Sequence, residues 1–229
     1  MLCDPVPIAK RTILLAWIWF TADCGLALSS LWEINVLGGL SGTTSSSSAI
    51  IDAADLGAVA GCLYFLATLV CAATFFRWVY MVNRNAHQWS AAMTIGPGWN
   101  IAWFFVPVAG LWMPYTGLRQ TRGATIDSDD PDSVPVPNWM RLWWSLWIAT
   151  SLLGNVTFRL SLHAETNEAV IAADWFYVAS LVIDLPLTVL LCRLLTDIST
   201  LQSDRLAAPA ANDPPADVPS DDAEDTSHR

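Results

Sequence analysis

Long apolar runs separated by short polar blocks dominate the chain. Four runs, residues 12–32, 54–79, 139–160 and 175–195, are each long enough for an α-helix to cross a hydrocarbon layer, which takes roughly 20 residues. The stretch 96–116 is also apolar, but it breaks the helical rules. It carries Pro97, Pro107 and Pro114, with Gly110 between the last two. Each proline removes a backbone donor and disturbs the preceding turn. A break at residues 106–110 would leave two arms of about nine residues, too short to cross. The pattern predicts an all-α membrane protein with four transmembrane helices and a broken, Pro-rich element that re-enters or lies in the interface. Five transmembrane helices is the alternative, because membrane helices do accept a kinking proline.

The basic residues discriminate between these two arrangements. With four crossings, Lys10, Arg11, Arg77, Arg84, Arg119, Arg122, Arg141, Arg193 and Arg205 share one side, and Arg159 faces the other. With five, Arg119, Arg122 and Arg141 would face away from Arg77 and Arg84. Lysine and arginine beside membrane helices favour the cytoplasm, so four crossings with both termini cytoplasmic is the expected topology. The remaining segments are an N-terminal arm (1–11), a Gly/Ser/Thr loop (35–52), an acidic Pro-rich linker (123–138), a polar loop (163–174) and an acidic tail (203–229). The tail has no aromatics and reads as disordered. A cleaved leader is the competing reading of the first run, but Asp23 interrupts it and it stays apolar beyond Ser29.

Composition agrees with a membrane environment. Of 229 residues, 54% are hydrophobic and 14% charged, and the mean hydropathy is +0.41; a soluble domain carries about 25% charged residues. Many of the 13 tryptophans lie near the ends of apolar runs, as indoles do at headgroup level. The net charge of −10 comes mainly from residues 127–132 and the tail, so it describes solvated segments. The eleven Lys and Arg form no stripe, which argues against nucleic acid. The five cysteines form no C-x-x-C pair, and His87, His163 and His228 lie far apart. No metal site or cofactor is expected. No nucleophile elbow, metalloprotease or phosphate-loop motif occurs, and the chain reads as not an enzyme.

Phe76-Arg77-Trp78, Pro97-Gly98-Trp99, Trp103-Phe-Phe-Val-Pro107 and Leu111-Trp112-x-Pro114-Tyr115 together form a box of Pro, Gly, Trp and Tyr at fixed offsets. This box resembles the signature of an uncharacterised bacterial membrane family, the domain of unknown function 4328. The flanking runs are similar too, over residues 12 to 200. Met113 departs from the pattern, which has a basic residue before the Pro-Tyr pair. The resemblance implies an integral protein of a bacterial plasma membrane and no particular activity.

Two carboxylates, Asp23 and Asp184, fall near the middle of predicted spans. An ionisable residue inside a membrane is costly and marks a functional site by default. The two form a candidate intramembrane polar site at similar depth, for a shared proton or cation. The plainer reading has each neutral and hydrogen-bonded to a neighbouring helix, and Asp184 also stands beside Pro186, which frees a backbone carbonyl. Arg84, Arg119 and Arg122, with Arg77, are candidate contacts to anionic headgroups beside Trp78, Trp99 and Trp112, against simple anchoring. Asn100 is expected to satisfy freed backbone groups. Gly57 and Gly61 have the spacing that lets membrane helices approach closely. The first functional expectation is a structural or regulatory membrane component in the lipid bilayer, assembling with itself or with a membrane-protein partner. The alternative is a small oligomeric transporter or an ion- or proton-conducting protein that uses the two aspartates.

Overall fold

The computed structural model describes residues 2–38 and 47–208. They are all-helical: α1 (Val6–Leu37), α2 (Ser47–Trp89), α3 (Pro97–Ala102), two short 3₁₀ turns (Trp103–Phe105 and Ala109–Leu111), α4 (Met113–Ile126), α5 (Asn138–Leu162) and α6 (Asn167–Ala207). Three of them, α1, α2 and α6, are long and apolar enough to cross a membrane. At 25 residues α5 has the length, but it carries Arg141, Asn155 and Arg159 and is not among the three.

The helices run beyond the apolar runs at both ends, and local hydrogen bonds mark where α1 and α6 start. Asp4 Oδ1 accepts the Val6 amide at 3.0 Å, and Pro7 follows within the first turn. Proline suits the start of a helix because its missing N–H would be unpaired there anyway. Residues 6–11 of the expected arm are therefore helical. Thr166 caps α6, its hydroxyl accepting the Ala169 amide at 3.3 Å, as a threonine N-cap does. Helix α6 consequently takes in residues 167–174, expected as loop, and at its other end residues 203–207, expected as tail. The rest of the tail beyond residue 208 and residues 39–46 of the Ser-rich loop lie outside the described residues. Helix α4 extends through residues 123–126, and residues 127–137 are irregular.

Helix α1 packs on both α2 and α6, and α6 packs on α5. The order α2–α1–α6–α5 makes a curved layer whose two edges are α2 and α5. The central stretch closes one end of the gap between those edges. Its path is α3, a break at extended Val106 (φ −95°, ψ 114°), and a return along α4. Two glycines permit the return. A Cβ on Gly117 would run into the Asn100 side chain, with Cγ at 2.6 Å, and one on Gly110 would stand 2.9 Å from the Trp103 carbonyl oxygen. The stretch is thus a hairpin of short pieces, not one helix. Where it enters and where it leaves are joined: the Thr94 hydroxyl donates to Gln120 Oε1 at 3.0 Å.

Burial is concentrated around this hairpin. Trp78, Val79 and Val82 of α2, Leu118 of α4, Met140 and Trp143 of α5, and Leu194, Leu195 and Ile198 of α6 form the main core. Phe104 is wedged between the edges, 5.9 and 5.3 Å from the rings of Phe75 and Phe76 and 6.2 and 5.6 Å from those of Trp144 and Trp147. Away from this end α2 stands with its apolar face uncovered, including Leu63, Leu66, Leu69 and Val70. The cysteines are all free, and Cys62 is exposed.

Candidate functional site

Helices α1 and α6 run antiparallel with a register that stacks carboxyl groups in layers. Asp23 on α1 and Asp184 on α6 are both buried, at 5% and 2% exposure, and close enough to act on one another electrostatically. Ten residues further along α1 stands Glu33, and ten residues earlier on α6 stands Asp174. These two also interact electrostatically. At 1.5 Å per residue the layers are about 15 Å apart. Tyr64 of α2 lies between the layers, within electrostatic reach of Asp23 and Asp184.

The inner layer gathers residues from four helices. The Thr150 hydroxyl of α5 donates to Asp184 Oδ1 at 2.9 Å. The Thr188 hydroxyl donates to the Asp184 carbonyl at 2.7 Å, on the turn that Pro186 weakens by withdrawing its N–H. Trp19 Nε1 donates to Thr68 Oγ1 at 3.0 Å, and the rings of Trp19 and Tyr64 meet at 6.0 Å. Asp23 contributes an Oδ2 atom that is buried and without a hydrogen-bond partner. A buried polar oxygen with no partner is an expensive group to keep. Towards the hairpin, a cavity of ≈ 280 Å³ opens between the α2 and α5 edges, with Thr68, Thr150 and Thr188 among apolar and aromatic walls.

The outer layer borders a second cavity of ≈ 470 Å³. Asp174 Oδ1 accepts the Ser30 hydroxyl at 2.8 Å, while its Oδ2 is buried with no partner. Gly57 and Gly61 line this cavity. A Cβ on Gly57 would meet Glu33 Oε2 at 3.5 Å, and one on Gly61 would meet nothing within 4 Å. These glycines thus leave room beside Glu33, where the sequence pattern suggested close packing of two helices.

The other candidates lie at the hairpin end. Trp78 is fully buried and its Nε1 donates to Ser199 Oγ at 2.8 Å. Pro97 opens α3 and Pro114 opens α4, each in the first turn. Trp99 and Trp103 pair at 5.2 Å, and Tyr115 stacks on Trp144 at 5.9 Å. Gly98, Pro107 and Trp112 are exposed, as is Arg77. Arg84 lies against Cys3, Nη2 to Sγ 3.2 Å. Arg119 pairs with Asp132 at 3.2 Å and Arg122 with Asp197 at 2.7 Å. Asn100 is fully buried, but neither of its amide atoms has a partner. A polar network that the sequence did not announce also lies at this end. Asn83 Nδ2 donates to Thr121 at 3.1 Å, and Asn85 Nδ2 donates to Gln202 Oε1 at 3.0 Å and to the Cys3 carbonyl at 2.7 Å. Gln202 in turn donates to the Val82 carbonyl at 2.9 Å.

Glu33 and Asp174 escaped the sequence reading because each sits at the polar edge of an apolar run. The available signal was the equal ten-residue spacing of carboxylates on the first and last helices. It becomes meaningful only once those helices are known to pack antiparallel.

The long apolar helices, with carboxyl groups held between them, define a membrane protein of the all-helical class. The chain belongs to the family described as Domain of unknown function (DUF4328), whose model matches residues 42–200. The match takes in Tyr64, Thr150, Asp174 and Asp184, and begins after the α1 residues Asp23 and Glu33. No curated protein and no solved structure matches the chain.

Proposed function

We propose that the chain is a small proton- or ion-handling protein of a bacterial plasma membrane, working through the Asp23–Asp184 pair. Four helices, α1, α2, α5 and α6, cross the bilayer, the hairpin re-enters it, and both termini are cytoplasmic. The Thr94–Gln120 hydrogen bond supports the re-entrant path, since it ties the two ends of the hairpin together. The one-sided distribution of arginine supports the orientation. The observation that carries the functional reading is Asp23: a buried carboxyl group on α1, with an unpartnered oxygen and a second carboxyl within electrostatic range. Two carboxyls sharing a low-dielectric site do not both hold charge easily, so the pair is suited to holding one exchangeable proton or one monovalent cation.

The test is flux through the reconstituted chain in vesicles containing a pH-sensitive dye, driven by an imposed membrane potential. Proton entry is expected in the natural chain and a loss of at least about tenfold in Asp23→Asn and in Asp184→Asn, both checked for native helicity. Equal flux in all three proteins would remove the pair from the mechanism. A structural or regulatory role, through a second copy or a membrane-protein partner, is the second reading. It draws on the uncovered apolar face of α2, and absence of flux from the natural chain would favour it.

A further inference from the structure

The outer cavity has properties the proton reading does not use. It is ≈ 470 Å³, within the range of small-molecule sites. Its walls carry two carboxylates, Glu33 and Asp174, and no lysine, arginine or histidine. Asp174 is only 7% exposed and lines the cavity, with Oδ2 lacking any hydrogen-bond partner. Tyr64 and Tyr177 are half-buried in the walls, and Phe65 and Phe158 stand at the rim.

We propose that this cavity is a binding site for a protonated organic amine, a primary ammonium group on a compact apolar or aromatic body. The sign of the charge follows from the two carboxylates. A protonated amine suits carboxylates better than a quaternary ammonium, because it can donate an N⁺–H···O⁻ bond, which is the strong kind. The four aromatic residues of the lining can add cation–π attraction. A metal ion fits less well. No group of three or more His, Cys, Asp or Glu among the described residues is placed to hold one. A divalent ion such as calcium takes six or more oxygens, and the space is far larger than a bare ion needs. The outer layer lies about 15 Å from the Asp23–Asp184 layer along α1. With the inner pair at mid-membrane, that distance places the cavity near headgroup level, where a water-soluble amine can reach it.

The proposal goes beyond the proton reading and is tested without flux. The full chain, purified in detergent, is titrated calorimetrically with 2-phenylethylammonium chloride at neutral pH. Saturable one-to-one binding is expected. It should weaken at least about tenfold in Asp174→Asn and in Glu33→Gln, and stay unchanged in Asp23→Asn. Gly61→Leu gives a second route that touches no carboxylate. A side chain there enters open space in the cavity, so the variant should fold and lose binding. Neutral 2-phenylethanol should not compete. Absence of saturable binding overturns the proposal, as does binding that survives both Asp174→Asn and Gly61→Leu, or equal competition by the neutral alcohol. Loss of flux without loss of amine binding would separate the two readings, and so would the reverse.

Discussion

Gly117→Ala is the sharpest probe of the hairpin. In an exposed helix the change would favour folding by roughly 1 kcal/mol, the helix-propensity gap between the two residues. Here the added methyl would be driven into Asn100, whose Cγ would stand 2.6 Å away and Nδ2 2.9 Å away. Asn100 is fully buried, so its side chain has no solvent to swing into, and α3 must shift off α4. Overpacking of this kind costs about 1–3 kcal/mol. For a chain of this size such a loss corresponds to a midpoint lower by roughly 2–12 °C. The partner substitution supplies the control. Asn100→Ala removes an amide with two unpartnered atoms, so alone it should change stability little. Combined with Gly117→Ala it should restore most of the loss, because the methyl then has room. The assay is thermal unfolding in detergent, followed by tryptophan emission and far-ultraviolet circular dichroism. A coupling of at least about 1 kcal/mol between the two positions is expected for residues in direct contact. Additive losses, or a double variant no more stable than Gly117→Ala, would refute the fold-back of α3 onto α4.

Four further outcomes are expected. Trp78→Phe should cost about 1–3 kcal/mol, since it removes the buried hydrogen bond to Ser199 and leaves that hydroxyl unpaired; Ser199→Ala in the same background should recover part of it in the same unfolding assay. Arg122→Gln and Asp197→Asn should each destabilise, with a coupling of about 1 kcal/mol, because their side chains are only 16% and 28% exposed and the pair is less screened than a surface one. Phe104→Ala should loosen the α2–α5 gap and cost about 3–5 kcal/mol, seen as a lower midpoint together with faster proteolysis in the 127–137 linker. With the native cysteines replaced, Ser128→Cys and Ser203→Cys should react with a membrane-impermeant maleimide from the same side of right-side-out and inverted vesicles; labelling from opposite sides would remove the four-crossing topology.

Much of the architecture was legible in order and type. The apolar runs announced the long helices, and Pro107 with Gly110 announced that residues 96–116 are not one helix. Helix ends were less legible, because hydropathy reports where a chain is apolar and not where its backbone hydrogen bonds stop. Asp4 with Pro7, and Thr166, extend α1 and α6 into residues that look like arm and loop. The arginines looked alike in the sequence, but the fold separates them. Arg122 meets Asp197 and Arg119 meets Asp132, while Arg77 remains exposed. Spacing alone does not distinguish them, since Arg119 finds its partner 13 residues on and Arg122 finds its partner 75 residues on.

By itself the sequence determined the helical class, the membrane character and the presence of two carboxylates, Asp23 and Asp184, inside apolar runs. These follow from composition and period, which are properties of neighbouring residues. Only the tertiary structure decided which residues share a layer. The antiparallel packing of α1 on α6 brings Asp23 to Asp184 and Glu33 to Asp174, and the fold-back at Gly117 places Asn100 in the interior. Those outcomes depend on helix register, which is set by side-chain packing between distant segments and cannot be read from either segment alone.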